Sequence, residues 1–386
     1  MSIAHSHLTS ATTLVSTYQK GKPLVHHLKS FFSQHKKMGS RDRKAISQLC
    51  YAYFRCFGCL DSIPDTKDKI IASWFLTQEA PNAFLEKLNP QWNAQITLFI
   101  SEKCDLLGLE HHHFFRFSSL LSPKINSENI SFSLLCQPDL FLRIRPGHHV
   151  HVTHTLNEAN LMYEMNGDTI RLKNGTKIED LLSLDKEVVV QDLSTQRTFS
   201  QLDTDIFPSG ELAVWDCCAA SGGKSILISD ILGKRIKLTS TDIRNNILLN
   251  MKERLQKARV GLHRSFSTDL TINSGMTEAD QFDLIIADVP CTGSGTWSRT
   301  PEQHFSFDDS MLSEFQETQR KIIHSVVPHL KKGGILVYST CSVFHDENEM
   351  QASFFESKYG LKKRNESYFD GTSLKSDTLF SAILIK

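Results

Sequence analysis

Two cysteines of this chain follow apolar segments and lie in polar, turn-rich sequence. Cys291 lies in ADVPCTGSGTW (287–297) and Cys341 in YSTCSVFHDENE (338–349), each just after a predicted β-strand. A thiolate is a strong nucleophile, and a nearby helix N-terminus lowers the pKa of a thiol. The acids at 346–349 indicate such a helix start shortly after Cys341. Although most cysteines are inert small hydrophobic residues, this pair predicts a thiol-based site.

A loop of small residues, VWDCCAASGGKS (214–225), precedes both cysteines in the chain. Small residues let the backbone approach a ligand, and the N–H groups of a helix start would face it. A Walker A loop needs glycine where Cys218 stands, and a dinucleotide fingerprint needs G-x-G-x-x-G, whereas Gly222 and Gly223 are adjacent. S-adenosylmethionine, a nucleoside ligand without phosphates, remains. We predict that it binds at Cys218, Ala219, Ala220, Ser221, Gly222, Gly223 and Lys224.

Three aspartates follow this loop, each at the end of a predicted strand: Asp242, Asp269 and Asp288. Parallel sheets bind ligands at the carboxyl ends of their strands. Asp242, 18 residues after Lys224, can accept hydrogen bonds from both ribose hydroxyls. Asp269 would lie at the adenine side and Asp288 at the methionine end. One such aspartate is as often a cap or turn residue, but three at one sheet edge favour a cofactor site.

The elements that must position these residues alternate after about residue 205. Continuous apolar strands are predicted at 212–217, 237–242, 263–266, 282–288 and 335–339, with helices at 244–258 and 311–327. This alternation predicts an α/β domain whose mostly parallel sheet is covered on both faces. Two β-rich runs, 360–367 and 378–386, predict a closing antiparallel pair.

The chain before residue 205 shows two other sequence patterns. Residues 1–130 show helical periodicity, for example in a helix capped by Ser40 whose apolar face holds Ile46, Leu49, Cys50, Tyr53, Phe54 and Phe57. Short β-rich segments at 139–145, 169–172 and 187–191 indicate a small α/β module. We therefore predict three domains: helical 1–130, α/β 131–204, and the alternating region 205–386.

The charge of the chain is balanced overall but not locally. Lys plus Arg and Asp plus Glu number 43 each, which excludes a uniformly basic nucleic-acid binder. The first fifty residues hold eight Lys and Arg residues against one acid, Asp42, which predicts a polyanionic partner. Candidate phosphate contacts are Lys36, Lys37, Arg41, Lys44 and, after the first of the two cysteines, Arg299.

Composition also predicts what the chain lacks. It has no run of about 18 apolar residues and no secretory leader, and its nine cysteines are odd in number, so we expect a reduced, cytoplasmic protein without membrane spans. Cys56 and Cys59 lack a second pair at zinc-ligand spacing. The histidines at 111–113 and 148–154, which we expect on the surface in loops or strand ends, lack nearby cysteine or carboxylate clusters. We therefore predict no metal site. We also expect the protein to be a monomer.

Three motifs, DCCAASGGK (216–224), DVPCTG (288–293) and STCS (339–342) followed by acids, resemble those of the Nop/Sun family of RNA cytosine-5 methyltransferases. RDRKAISQLCYAYFR (41–55) is similar to the NusB-like RNA-binding domain of the bacterial Sun/Fmu-type, RsmB-like ribosomal RNA enzymes, and FLRIRPGHH (141–149) and VVVQDLSTQ (188–196) resemble that group's intervening domain. The family usually has proline where Ser221 stands and asparagine where Arg145 stands. We expect the first difference to loosen the cofactor loop while keeping its glycines.

The resemblance implies a Rossmann-like class I sheet that transfers a methyl group from S-adenosylmethionine to carbon 5 of a cytosine in RNA, with ribosomal RNA favoured and transfer RNA possible. It implies Cys341 as the nucleophile and Cys291 as the helper in product release, whereas the DNA enzymes use the cysteine after proline, here Cys291. Asp288 would be the acid partner, and Lys224 would orient the carboxylates. Two alternatives are a methyltransferase for a small molecule or protein, and a non-catalytic RNA-binding assembly factor that retains the fold.

Overall fold

The computed structural model describes residues 2–110 and 114–386, apart from the side chain of Lys234. Its α-helices are α1 (Ile3–Ser16), α2 (Leu24–Gln34), α3 (Ser40–Cys56), α4 (Thr66–Thr77), α5 (Ala83–Leu88), α6 (Pro90–Ala94), α7 (Ile100–Leu107), α8 (Ser127–Leu135), α9 (His149–Glu158), α10 (Leu193–Gln196), α11 (Gly223–Leu232), α12 (Asn245–Lys257), α13 (Pro301–Ser306), α14 (Ser310–Val326) and α15 (Glu349–Tyr359). Its strands are β1 (Leu140–Ile144), β2 (Glu164–Asn166), β3 (Thr169–Leu172), β4 (Val188–Val190), β5 (Leu212–Asp216), β6 (Ile236–Asp242), β7 (Leu262–Ser267), β8 (Phe282–Asp288), β9 (Leu330–Thr340), β10 (Lys362–Phe369) and β11 (Leu379–Ile385).

One compact unit, residues 122–125, 138–295 and 309–386, contains a seven-stranded sheet in the order β10-β11-β9-β8-β5-β6-β7. Strands β5 to β9 run parallel to one another, and β11 is antiparallel to both of its neighbours, β9 and β10. The predicted fold, a mostly parallel sheet with a closing antiparallel pair, is confirmed. The strand order reverses between β5 and β8, and such a switch point opens a crevice for ligands at the carboxyl ends of the strands.

The strands of this sheet are apolar on both faces because helices cover both. Alternate side chains point to opposite faces. One face packs with α11 and α12 through Val214, Leu284, Ile286, Val337, Ile226 and Met251. The other packs with α14 and α15 through Trp215, Ile285, Leu336, Ile323 and Phe355.

The same unit includes a four-stranded antiparallel sheet in the order β2-β3-β1-β4. Two arginines of this module, Arg143 on β1 and Arg145 after it, form ion pairs of 2.6 and 2.7 Å with Asp230 of α11. This module and the seven-stranded sheet therefore belong to one compact unit. The predicted boundaries at 130/131 and 204/205 stay predictions.

The histidines at 148–154 lie on a helix, so our expectation of a loop or strand end was wrong. His148 is the N-cap residue of α9, and the helix forms because Val152 and Leu156, four residues apart, are buried in the core of the module. The described residues contain no group of three or more His, Cys, Asp or Glu side chains suited to a metal ion. Residues 111–113 lie outside the described part of the chain.

The second compact unit, residues 1–121, 126–137 and 296–308, is helical where it is described. Helix α3 buries the predicted apolar face, including Ile46, Leu49 and Phe54. Its N-cap is Gly39 rather than Ser40, because the Asp42 carboxylate accepts a hydrogen bond of 3.1 Å from the Gly39 N–H. No described helix combines the length and the apolar character needed to span a membrane.

Cys56 and Cys59 are buried in the helical core of this second unit, and burial raises the pKa of both thiols. Each thiol donates to a backbone carbonyl, at 3.9 Å to Ser73 and 3.2 Å to Cys56 respectively. The segment 296–308, which follows the Cys291 loop in the chain, packs within this unit. Its Trp297 ring stacks on Phe115 with 5.7 Å between ring centroids.

Candidate active site

The loop between β5 and α11 adopts a conformation that depends on small residues. Ala220 has φ 45° and Gly222 has φ 81°, so residues on both sides of Ser221 are left-handed. A Cβ atom at Gly222 would lie 2.7 Å from Cγ of Met251, so only glycine fits at this position. This tight turn brings the loop backbone to the carboxyl end of the neighbouring strand, where the Ala220 N–H donates to Asp242 at 2.9 Å.

A cavity of about 430 Å³ at the carboxyl ends of the parallel strands joins the predicted cofactor residues to both cysteines. Its walls include Cys218, Ala220, Asp242, Asp269, Asp288, Cys291 and Cys341. A second cavity of about 220 Å³ has walls that include Cys218, Ala219, Ala220, Ser221, Gly223, Lys224 and Asp288. The two cavities share three of these residues, so the structure brings the predicted loop, carboxylates and thiols together at one edge of the sheet.

Asp242 is already hydrogen-bonded on both carboxylate oxygens. Besides the Ala220 N–H, it accepts from the Arg244 backbone N–H at 2.9 Å and from the Arg244 guanidinium at 3.0 and 3.3 Å. Burial tends to raise the pKa of Asp242, but these hydrogen bonds outweigh it and hold the pKa below the usual value. A ribose could bind this carboxylate only by displacing the Arg244 side chain.

Asp269 combines a turn role with a position in the larger cavity. One of its oxygens accepts from the Thr271 N–H at 2.9 Å and from the Thr271 hydroxyl at 2.7 Å. The side chain therefore stabilises the turn after β7, which is the turn role that an aspartate at a strand end often has. It nevertheless lines the cavity together with Asp242.

Lys224 and Asp288 form a close ion pair between the cofactor loop and the end of β8. Lys224 Nζ donates to Asp288 Oδ2 at 2.7 Å, and the Ser339 hydroxyl donates to Asp288 Oδ1 at 3.0 Å. Lys224 is buried, so it is not one of the solvent-exposed lysines common on helices. The pair fixes the orientation of a carboxylate at the junction of the two cavities.

The Sγ atoms of Cys291 and Cys341 are 3.3 Å apart. Gly295 holds the two loops together, since its N–H donates to the Cys341 carbonyl at 2.9 Å and its carbonyl accepts from Thr378 N at 3.0 Å. A Cβ atom at Gly295 would lie 2.2 Å from the Thr378 carbonyl oxygen, so the approach requires glycine. The contact with Cys341, together with burial, raises the pKa of the Cys291 thiol.

Glu347, which sequence reasoning did not single out, connects the two cysteine loops. It is fully buried and accepts from the Thr292 N–H at 2.9 Å, the Thr292 hydroxyl at 2.6 Å and the Gln319 amide at 3.0 Å. Burial raises its pKa despite these hydrogen bonds. The only sequence signal was its place among the acids at 346–349.

Asp216, the first residue of the DCCAASGGK motif, was also missed. Its Oδ2 accepts from the Ser225 hydroxyl at 2.6 Å, whereas its buried Oδ1 has no hydrogen-bond partner among the described residues. Burial raises its pKa to about 7. Because Asp216 also lines the smaller cavity, an unpaired acceptor at this point fits a bound ligand that carries a donor.

The candidate phosphate contacts lie in the helical unit. Lys36 and Lys37 are exposed in the turn between α2 and α3, and Arg41 and Lys44 are exposed at the start of α3. Arg299 is partly buried in the segment that precedes α13. The first four lie between residues 36 and 44, and we call this exposed set the α3 basic cluster.

Comparison with known proteins identifies relatives of this arrangement. Residues 205–379 match the family model for the 16S rRNA methyltransferase RsmB/F. Ribosomal RNA small subunit methyltransferase B of Yersinia enterocolitica is 33% identical over 230 residues, which cover 57% of this chain and 51% of that protein. The chain thus spans about half the length of this curated relative.

Two solved structures share the fold. The crystal structure of PH0851 covers 100% of this chain and 98% of its own, with a TM-score of 0.72 and 16% identity. NSun6 from Pyrococcus horikoshii, solved with the S-adenosylmethionine analogue SFG, covers 72% of this chain and 97% of its own, with a TM-score of 0.59 and 15% identity. At these identities the likeness shows the fold alone.

Proposed function

We propose that the chain is a methyltransferase of the RsmB/F type, whose family model residues 205–379 match, and that it methylates carbon 5 of a cytosine in ribosomal RNA with S-adenosylmethionine. The observation that carries the proposal is the cavity that joins Asp242 and Asp269 to two thiols 3.3 Å apart. A methyltransferase for a small molecule or protein has no need of such a thiol pair. A non-catalytic assembly factor would not need the thiols to line the cofactor cavity.

Bound S-adenosylmethionine would supply an electrophilic methyl group on a sulfonium. Asp242 would accept the ribose hydroxyls once Arg244 moves away, and Asp269 would lie at the adenine side. The loop from Cys218 to Lys224 would surround the methionine end, where the unpaired Asp216 Oδ1 can accept a hydrogen bond. These donors and acceptors suit a nucleoside with a zwitterionic tail.

Cys341 would act as the nucleophile because carbon 5 of cytosine is too weak a nucleophile unaided. Its thiolate adds to carbon 6, and the Lys224–Asp288 pair gives a proton to the ring nitrogen, which leaves a nucleophilic enamine carbon 5. After methylation, the ring nitrogen returns its proton to the Lys224–Asp288 pair and solvent takes the carbon 5 proton. The electrons of that C–H bond re-form the double bond between carbons 5 and 6 as the bond from carbon 6 to Cys341 Sγ breaks, which releases the Cys341 thiolate. Cys291, whose raised pKa keeps it protonated, can donate its S–H to that departing sulfur.

The target cytosine would have to be single-stranded or extruded from its stack to reach Cys341. The α3 basic cluster and Arg299 would contact RNA phosphates. A cytoplasmic location and a monomeric state are part of the same proposal.

Trapping of the covalent intermediate tests the chemistry. Cys291→Ala should still attack the base and then stall, so labelled RNA with S-adenosylmethionine should give a slow, nuclease-sensitive band on a denaturing gel. Cys341→Ala should give neither band nor turnover. The reverse pattern would exchange the two roles, and full activity without a band in both variants would refute the cytosine-5 assignment.

Bisulfite sequencing tests the substrate. RNA from a deletion strain should lose one 5-methylcytosine in small-subunit ribosomal RNA, and complementation with wild type but not Cys341→Ala should restore it. Loss in transfer RNA alone would move the substrate class to transfer RNA.

A further inference from the structure

The turn at Ser221 lies in the middle of the predicted cofactor loop, 218–224. Ala220 and Gly222 are both left-handed, and Ser221 between them is exposed. A left-handed non-glycine residue persists only where surrounding contacts hold it. The contacts that hold this turn therefore decide whether the loop is preorganised for a ligand.

Arg254 of α12 supplies such contacts. Its Nη1 donates to the Ser221 carbonyl at 3.0 Å and to the Ser221 hydroxyl at 2.9 Å. Its Nε and Nη2 donate to the carboxylate of Asp185 at 2.7 to 3.1 Å. One planar guanidinium thus binds the loop on one side and a carboxylate on the other, a geometry that lysine cannot reproduce.

Asp185 is itself fixed in place. Its N–H donates to the Val188 carbonyl at 2.7 Å, and its carbonyl accepts from Arg145 at 3.0 Å. Arg145 in turn pairs with Asp230 and donates to the Ala258 carbonyl at 2.6 Å. The guanidinium of Arg254 is therefore held by an anchored partner rather than by a mobile surface acid.

We propose that Arg254 is a positioning residue that holds the Ser221 turn in its ligand-binding conformation, with Asp185 as its support. The inference rests on the proposed function, since it takes S-adenosylmethionine as the ligand. Arg254 acts on the loop and not on α12, because that helix is anchored in the core by Leu248, Met251 and Leu255. Its removal should therefore change cofactor affinity while leaving the fold intact.

Calorimetry of the full chain with S-adenosylhomocysteine as the probe tests this. Arg254→Ala should weaken binding at least about fivefold, because a charged donor to two loop acceptors is lost. Arg254→Lys should recover only part of the affinity. The KM for S-adenosylmethionine should rise with the Kd, whereas kcat at saturating cofactor should stay close to wild type. The Tm should fall, because the buried Asp185 carboxylate loses its charged partner. Lys252→Ala, which removes an exposed cation from the same helix, is the matched control.

Asp185→Asn distinguishes an effect of Asp185 that acts through Arg254 from general destabilisation of the fold. Asparagine tolerates the left-handed conformation at this position, where φ is 65°, but lacks the charge that holds Arg254. It should weaken binding in the wild-type background and have no further effect in Arg254→Ala. Equal affinity of Arg254→Ala and wild type, or additive losses in the double variant, would overturn the inference. Failure of the wild-type protein itself to bind the probe would refute the proposed function instead.

Discussion

Replacement of Glu347 tests how the two cysteine loops are held together. Glu347→Ala removes the acceptor of three hydrogen bonds, two from Thr292 and one from Gln319. The Thr292 hydroxyl can still donate to Ser294 at 3.2 Å, but two buried N–H donors lose this acceptor. At about 1–3 kcal/mol for each, the unrelaxed cost would be roughly 2–6 kcal/mol. The Cys291 loop should shift to avoid this cost. Glu347→Gln keeps an oxygen for two of the donors and an amide for the Thr292 hydroxyl, so it should cost about 1 kcal/mol or less.

The two variants should differ in product release more than in attack. Tyr338 donates to the Glu347 carbonyl at 2.6 Å, so the backbone beside Cys341 stays anchored in both. Glu347→Ala should therefore accumulate the covalent RNA adduct, as is expected for Cys291→Ala, with turnover lower by about 10²–10⁴. Glu347→Gln should turn over nearly as wild type on the same gel and methylation assay. Normal turnover of Glu347→Ala, or loss of adduct and turnover together, would refute the assigned role.

Further predictions concern the cofactor, the RNA and pH. Asp242→Ala should weaken S-adenosylmethionine binding roughly 10- to 100-fold in calorimetry. Arg244→Ala should tighten it, because the Arg244 guanidinium occupies the carboxylate that the ribose needs. Unchanged affinity in both variants would remove Asp242 from the site. Neutralising Lys36, Lys37, Arg41 and Lys44 should reduce the salt-dependence slope of RNA binding by about 3 and leave cofactor affinity unchanged; an unchanged slope would make the cluster a solubilising surface. Burial raises the pKa of Asp216 from 3.8 to about 7, so its contribution to stability is complete below pH 3.8 and is lost as pH rises through 7. Asp216→Asn cannot ionise and should therefore raise Tm more at pH 8.5 than at pH 5, and an equal change at both pH values would contradict the assigned cause.

The sequence predicted the central sheet well because buried parallel strands are continuous apolar runs. Strand β8 was predicted with its observed bounds, 282–288. Strand β9 begins at Leu330 instead of 335, because its first part contains two lysines and two glycines that carry no strand signal. Strand β2 was missed since all three of its residues are exposed and no alternation marks it.

The rule that ligands bind at the carboxyl ends of parallel strands was enough to group the loop, the carboxylates and the thiols. It could not identify Glu347, whose partner Thr292 is 55 residues away in the chain. That hydrogen bond exists because β8 and β9 are neighbours in a given register, and register is a property of the packed sheet rather than of either segment.

Ser221 and Arg145, the two departures from the family pattern, are separated by 75 intervening residues and look unrelated in the sequence. The expectation that serine loosens the loop considered only the local backbone, where proline would fix φ. In the folded chain Arg145 supports Asp185, Asp185 holds Arg254, and Arg254 binds Ser221 through both its carbonyl and its hydroxyl. A proline could accept only the hydrogen bond to its carbonyl. Serine also accepts one at its hydroxyl, although it does not fix φ as proline would. The rigidity of this loop therefore depends on contacts with Arg145, Asp185 and Arg254, which lie outside it. Substitutions at those positions should affect cofactor binding as directly as substitutions within the loop.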